Sequence, residues 1–248
     1  MLVGPAPARQ TVRHGASRLL LGAPEDRGLP SAVEQALERP GSGDRRGSAR
    51  CLRAIRAEAE KGRLVYSINV KLHFGTAVWN IDLAMGPPAG PVTVPPDGIA
   101  FAPPSIQVAI EIKGVMTEHH KAVKNRKRDF EAHHQHVHNY SNAAIAGVVM
   151  VMNAAPRFQS PLISHVTVHK NPMALVAHCM NEMRAVTSRG GVEGRGIDAG
   201  SAIVVSHDNI DNASTHYVAA PPAPQIGDPL HYDAFIQKIC SEYTRRFI

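Results

Sequence analysis

The stretch "IQVAIEIKGVMTEHHKAVKNRKRD", residues 106–129, begins as an apolar strand and ends as a basic helix. Side chains alternate faces along a strand with a period of two. Val108, Ile110 and Ile112 therefore share one face, while Ala109, Glu111 and Lys113 share the other. A carboxylate and an ammonium thus stand two residues apart inside an apolar run. Upstream, "AVWNIDLAM" repeats the pattern, with Trp79, Ile81 and Leu83 on an apolar face and Asn80, Asp82 and Ala84 opposite. If the two strands pair, Asp82 and Glu111 face one another at one end of a sheet.

Other elements read outward from this pair. "SARCLRAIRAEAEKGR", from Ser48, has a Ser cap, good helix formers and a Gly stop. "LVYSINVKLHF" is strand-like and precedes "AVWNIDLAMG", which ends at a Gly-Pro-Pro break. A Pro-rich connection then leads to the quoted strand, and a basic helix is expected from about Thr117 to His138. "AAIAGVVMVMN" has the continuous apolar character of a central strand buried on both faces. "NPMALVAHCMNEMRAV" reads as a helix capped by Asn171 with Pro172 at its first position. "SRGGVEGRGIDAGS" reads as a surface loop, "AIVVSH" as a short strand, and "DPLHYDAFIQKICSEYTRRFI" as a closing amphipathic helix. This order predicts an α/β fold with a mixed central sheet flanked by helices. Residues 48–248 are expected to form a single domain, with a core over about 48–152 and a part over about 153–248 that completes it. Residues 1–47 are rich in Ala, Arg, Gly and Pro and read as a loosely ordered arm.

The chain has 248 residues, 44% of them hydrophobic, enough to build a proper core. Its 27 Lys and Arg against 21 Asp and Glu leave a net charge of +6, compatible with a polyanionic partner. The excess is local: between Lys113 and Arg128 stand six basic residues against one acid, Glu118. Cys51, Cys179 and Cys240 are too scattered for a disulfide framework. No apolar run approaches the ~18 residues of a bilayer span, and the N-terminus has no basic start leading into an apolar core. A cytoplasmic location is the expectation.

Two like charges held close are unfavourable unless a cation joins them. A pair of carboxylates with carbonyl and water oxygens suits Mg2+, which prefers oxygen ligands and keeps several waters. A lysine two residues past the second acid points into the same site, where it can orient a water or stabilise charge on a phosphate. This pattern, an acid on one strand and E-x-K on the next with a basic helix behind, resembles the PD-(D/E)xK nuclease superfamily, which includes many type II restriction endonucleases. The resemblance covers roughly residues 48–152. It implies a restriction endonuclease-like core and Mg2+-dependent hydrolysis of double-stranded DNA leaving a 5′-phosphate. Glu111 and Lys113 take the E-x-K positions. Asp82 is favoured as the first acid because a metal ligand needs a rigid strand. Asp97 is the alternative, since "PPDG" has the literal Pro-Asp pair but is a natural turn sequence. Members often take a further ligand from the first helix, for which Glu58 and Glu60 are candidates, although both suit exposed helix charges equally well. Type II enzymes commonly work as homodimers beside a cognate methyltransferase, and both partners are carried over as expectations.

The basic helix has one narrow apolar stripe, Val123, Phe130 and Val137. The rest is surface, on which Lys121, Lys124 and Arg128 are read as contacts to the DNA backbone. His133, His134, His136 and His138 form a conspicuous cluster. His134 and His138 stand four apart and could share a Zn2+, yet no other ligand pair lies nearby, so packing or phosphate contact is the stronger reading. Two alternatives accompany the nuclease reading: a nucleic-acid-binding protein that does not cleave, and a His-rich zinc-dependent hydrolase. The Gly-rich loop and the segment from Ile203 to Gln225 are candidates for target recognition.

Overall fold

Two ten-residue runs with alternating polarity pair as a hairpin in the computed structural model, which describes residues 45–74, 77–92, 103–210 and 214–248. They are β1 (Val65–Phe74) and β2 (Ala77–Gly86), antiparallel from Val65↔Gly86 to Phe74↔Ala77. β3 (Val108–Val115) joins β2 through only three antiparallel pairs, Met85↔Val108 to Leu83↔Ile110. β4 (Ile145–Asn153) runs parallel to β3 over its whole length. Parallel neighbours need a crossover, and here it is α2 (His119–Tyr140), introduced with α1 (Arg45–Glu60) before the hairpin. β5 (Arg157–Gln159) and β6 (Val166–Val168) form a small separate ladder. α3 (Pro172–Arg184) leads to β7 (Ala199–Ser206), parallel to β4, and β8 (His216–Tyr217) closes that edge. α4 (Tyr232–Phe247) ends the chain. The main sheet runs β1-β2-β3-β4-β7-β8, a mixed central sheet flanked by helices.

The helices cover its two faces. The face of Ala109, Glu111 and Lys113 continues through Val148, Met150 and Met152 to Ala202 and Val204. It is buried under Val123 and Phe130 of α2 and Val176, Met180 and Met183 of α3. Each large side chain so buried contributes about 1.5–3 kcal/mol. α4 covers the other face, and the backbone of Gly147 lets it come close. A Cβ there would stand 3.2 Å from Ile110, Phe235 and Ile239 side chains. β4, buried along nearly its whole length, is the central strand its composition predicts.

Differences from the sequence reading are local. α1 begins at Arg45, before Ser48, and stops where Gly62 adopts a φ of 66°. α2 is shifted two residues toward the C-terminus, to His119–Tyr140. The expected Asn171 cap is present: its side chain accepts from the Ala174 amide at 3.2 Å. The Gly-rich loop is shorter than predicted, because "AGS" already belongs to β7. Within the recognition candidate Ile203–Gln225, residues up to Ser206 lie in that strand. The expected arm falls almost wholly outside the described residues. Among the described residues, no helix is long and apolar enough to cross a membrane.

Candidate functional site

β2 and β3 part company at the two acids. Their pairing ends at Leu83↔Ile110, so the next step would set Asp82 opposite Glu111. There the Asp82 carboxylate takes over: its Oδ2 accepts a hydrogen bond from the Ile112 amide at 2.7 Å. β2 continues on β1 alone, leaving a fork between the hairpin and β3. Asp82 is 8% exposed and Glu111 7%, so both carboxylates are held out of water. Glu111 Oε1 forms an ion pair with Lys113 Nζ, whose side chain is also largely buried. Glu111 Oε2 is buried without a hydrogen-bond partner among the described residues.

Among the described residues, two buried carboxylates stand against one ammonium at the fork, an arrangement that favours a cation. The unpartnered Oε2 supplies a hard oxygen donor beside the Asp82 carboxylate, a donor set that suits Mg2+ with waters filling its remaining positions. The set is a pair: no group of three or more His, Cys, Asp or Glu poised for a metal occurs among the described residues.

The fork is clamped by α2. His133 donates from Nε2 to the Ala109 carbonyl at 3.2 Å, and its ring lies 5.4 Å from Trp79 of β2. His136 approaches the same indole at 5.8 Å. Burial pushes the His133 pKa down to about 3, and the Lys113 charge adds to the effect. A neutral imidazole therefore stands near the ammonium. On the hairpin side, the pairs Ile68↔Leu83 and Val70↔Ile81 leave Asn69 opposite Asp82. Asn69 has a φ of 54°, the left-handed region that Asn tolerates better than most residues. Such strain within a strand costs on the order of 1–3 kcal/mol and gathers at functional positions. Sequence reasoning missed Asn69 and read His133 only as one member of a histidine cluster with a packing role. A polar Asn in a run of strand formers was the available signal for Asn69; nothing local marked His133 among its neighbours.

The solvent face of α2 is basic as expected. Lys121, Lys124 and Arg128 are all exposed and share one stripe at helical spacing. Among the described residues, the ion pair of Lys121 is a distant one with Glu118, at 3.9 Å. Arg126 turns instead to the Gly114 carbonyl at 3.3 Å, which ties this helix to the end of β3 just beyond Lys113. Glu58 is engaged from its own end of the chain, by Arg63 at 2.6 Å and Lys61 at 3.8 Å. Those contacts hold its carboxyl below the usual range, the Arg63 hydrogen bonds foremost. Glu60 pairs with Arg56 at 2.9 Å. Asp97, the alternative first acid, lies outside the described residues.

The histidine cluster divides by helix face. His133 and His134 are buried, and His138 reaches Asp198 through Nε2 at 3.1 Å. The His134 and His138 rings are 6.0 Å apart, and the contact with Asp198 engages His138 Nε2. Packing and a hydrogen bond account for this cluster better than a zinc. Asp198 itself is a hub, accepting also from the Ala146 amide at 2.8 Å and from Arg246 at 2.5 Å. No protein-family model matches this chain, and no match occurs among curated proteins or solved structures.

Proposed function

We propose that the chain is a Mg2+-dependent endonuclease that hydrolyses double-stranded DNA, of the type II restriction kind, on a restriction endonuclease-like core. The observation that carries this reading is the fork: Asp82 and Glu111 both buried, one carboxylate oxygen without a hydrogen-bond partner among the described residues, with Lys113 on the same strand face as Glu111. The succession of α1, three antiparallel strands, α2 and a strand parallel to β3 supports it, since this scaffold sets the acid and the E-x-K triplet side by side.

Asp82 and Glu111 would hold the Mg2+, and the bound ion supplies Lewis-acid stabilisation of charge on the phosphate and a more acidic water. The Lys113 ammonium orients the attacking water and stabilises the charge that gathers on the phosphoryl oxygens. Attack of that water on phosphorus expels the 3′-oxygen and leaves a 5′-phosphate. Lys121, Lys124 and Arg128 grip backbone phosphates and position the duplex without reading its bases. A homodimer would match two-fold symmetric sites, and a methyltransferase of the same specificity would protect the host's DNA.

The test is incubation of plasmid and phage DNA with Mg2+ or with EDTA, alongside Glu111→Ala and Lys113→Ala. Discrete fragments that require Mg2+ are expected, with rates lowered by a factor of about 100 or more in each variant. Full cleavage by Glu111→Ala would end the E-x-K reading. Salt-sensitive DNA binding without cleavage, on modified and unmodified DNA alike, would favour a binding protein on this fold. The Glu111–Lys113 ion pair, which neutralises part of the site's charge, is the observation on that side.

A further inference from the structure

A second group of buried histidines lies away from the fork, where the start of α2 meets the segment between β6 and α3. His119 is 2% exposed and His169 6%. Their rings stand edge to face with centres 4.8 Å apart. His119 Nε2 lies 2.9 Å from the Asn153 carbonyl, and His169 Nδ1 lies 2.7 Å from the Ala155 carbonyl. A carbonyl oxygen only accepts, so these two nitrogens carry the ring protons. The tautomers are thereby fixed, and His119 Nδ1 and His169 Nε2 are left as bare lone pairs. Both are buried with no hydrogen-bond partner among the described residues.

Leaving two buried acceptors unpaired is costly unless something fills them. A neutral imidazole whose far N–H is held by a main-chain carbonyl is also the form in which histidine binds metal, since that second hydrogen bond fixes the ring and raises its basicity. Two imidazoles on one ion, with nitrogens ~2.0–2.1 Å from it, place their ring centres about 5 Å apart. The observed separation agrees. We infer that His119 and His169 form a two-imidazole site for a borderline divalent ion, with zinc the best match, separate from the oxygen-lined fork.

Nitrogen ligands suit zinc, whereas Mg2+ prefers oxygen, so the two sites select different ions. With no third His, Cys, Asp or Glu in place among the described residues, water completes the coordination. The bound ion would pin the first turn of α2, directly after the strand that carries Glu111 and Lys113.

The test uses the full chain, stripped with a chelator and dialysed against Zn2+. Stoichiometric zinc is expected, and X-ray absorption should show two imidazole shells at about 2.0 Å. His119→Gln and His169→Gln should each weaken zinc binding by at least about tenfold and abolish the zinc-induced rise in Tm. Glu111→Ala should leave zinc binding unchanged. Unaltered zinc content in the His119→Gln/His169→Gln double variant would assign the metal to other histidines and overturn the site. A wild-type protein that takes up no zinc would overturn it as well, leaving water to fill the lone pairs. Where a substitution prevents folding, the absorption spectrum of the wild-type protein still reads how many imidazoles hold the ion, and any number other than two would overturn the site.

Discussion

Asp82 serves β3 as a backbone acceptor and, on the proposed function, a metal ion as a ligand. The two roles respond differently to substitution. Asp82→Asn keeps an oxygen for the Ile112 amide, now bonded at 2.7 Å, but removes the charge. Asp82→Ala removes both and leaves a donor unpaired at the fork, at a cost of roughly 1–3 kcal/mol. Asp82→Asn is therefore expected to abolish cleavage with little loss of stability. Asp82→Ala should abolish cleavage and lower the urea midpoint as well. Plasmid cleavage and equilibrium unfolding on the same preparations check this. Equal destabilisation by both variants would mean that the carboxylate's charge, rather than its hydrogen bond, holds the fork together. Alternation alone placed Asp82 and Glu111 on facing strands, but the end of the β2–β3 ladder at that point is a matter of hydrogen bonding that no pattern of apolar residues encodes.

At the level of elements, α2 combines three tasks that its sequence separates by face. Val123, Phe130 and Val137 are fully buried, His133 and His136 clamp Trp79, and Lys121, Lys124 and Arg128 face solvent. Phosphate contact by the basic stripe makes a quantitative prediction. Each neutralised phosphate adds about 0.9 to the slope of log affinity against log salt. Lys124→Ala/Arg128→Ala should weaken binding of unrelated duplexes alike and reduce that slope by roughly 2. Fluorescence anisotropy across a salt series measures it, and an unchanged slope would remove the stripe from the interface. The strands and helices legible in advance were those long enough to repeat a period: β1 to β4, β7, and α1 to α4. β5, β6 and β8, of three, three and two residues, are too short to show one. The Gly-rich loop was legible as a loop but not as an ordered one. Its form depends on the Arg189 guanidinium, which reaches the Gly194 carbonyl at 2.9 Å and the Asn142 side chain at 2.6 Å.

Across the whole molecule, stability is tied to groups that burial and distant partners hold away from their ordinary titration. Asp198, before β7, meets His138 of α2 and Arg246 of α4, partners 60 and 48 residues away. Such separations explain why this hub was invisible in the sequence. Burial alone would raise the Asp198 pKa, but hydrogen bonds from His138, Arg246 and the Ala146 amide outweigh it and hold the carboxyl below its usual range. Glu242 behaves alike: desolvation opposes, yet Arg245 and Lys238 bring it to about 2 from an ordinary 4.5. Both acids stabilise the fold fully above the unfolded-state pKa, and lose that contribution as pH falls through the folded one. His133 acts in the same direction but earlier. The unfolded chain takes up its proton near 6.5, whereas the folded protein resists until about 3. Between these values the unfolded state binds more protons, so stability falls as pH falls. The urea midpoint should therefore decline from about pH 6.5 downward and steepen below 4.5 as the acids join. His133→Gln, even if less stable throughout, should show a shallower decline in the upper window, while Glu242→Gln should show one only in the lower window. A wild-type midpoint that stays flat between pH 6.5 and 4.5 would mean that the α2 clamp opens enough to let His133 titrate, and the fork it covers would then be mobile rather than preorganised.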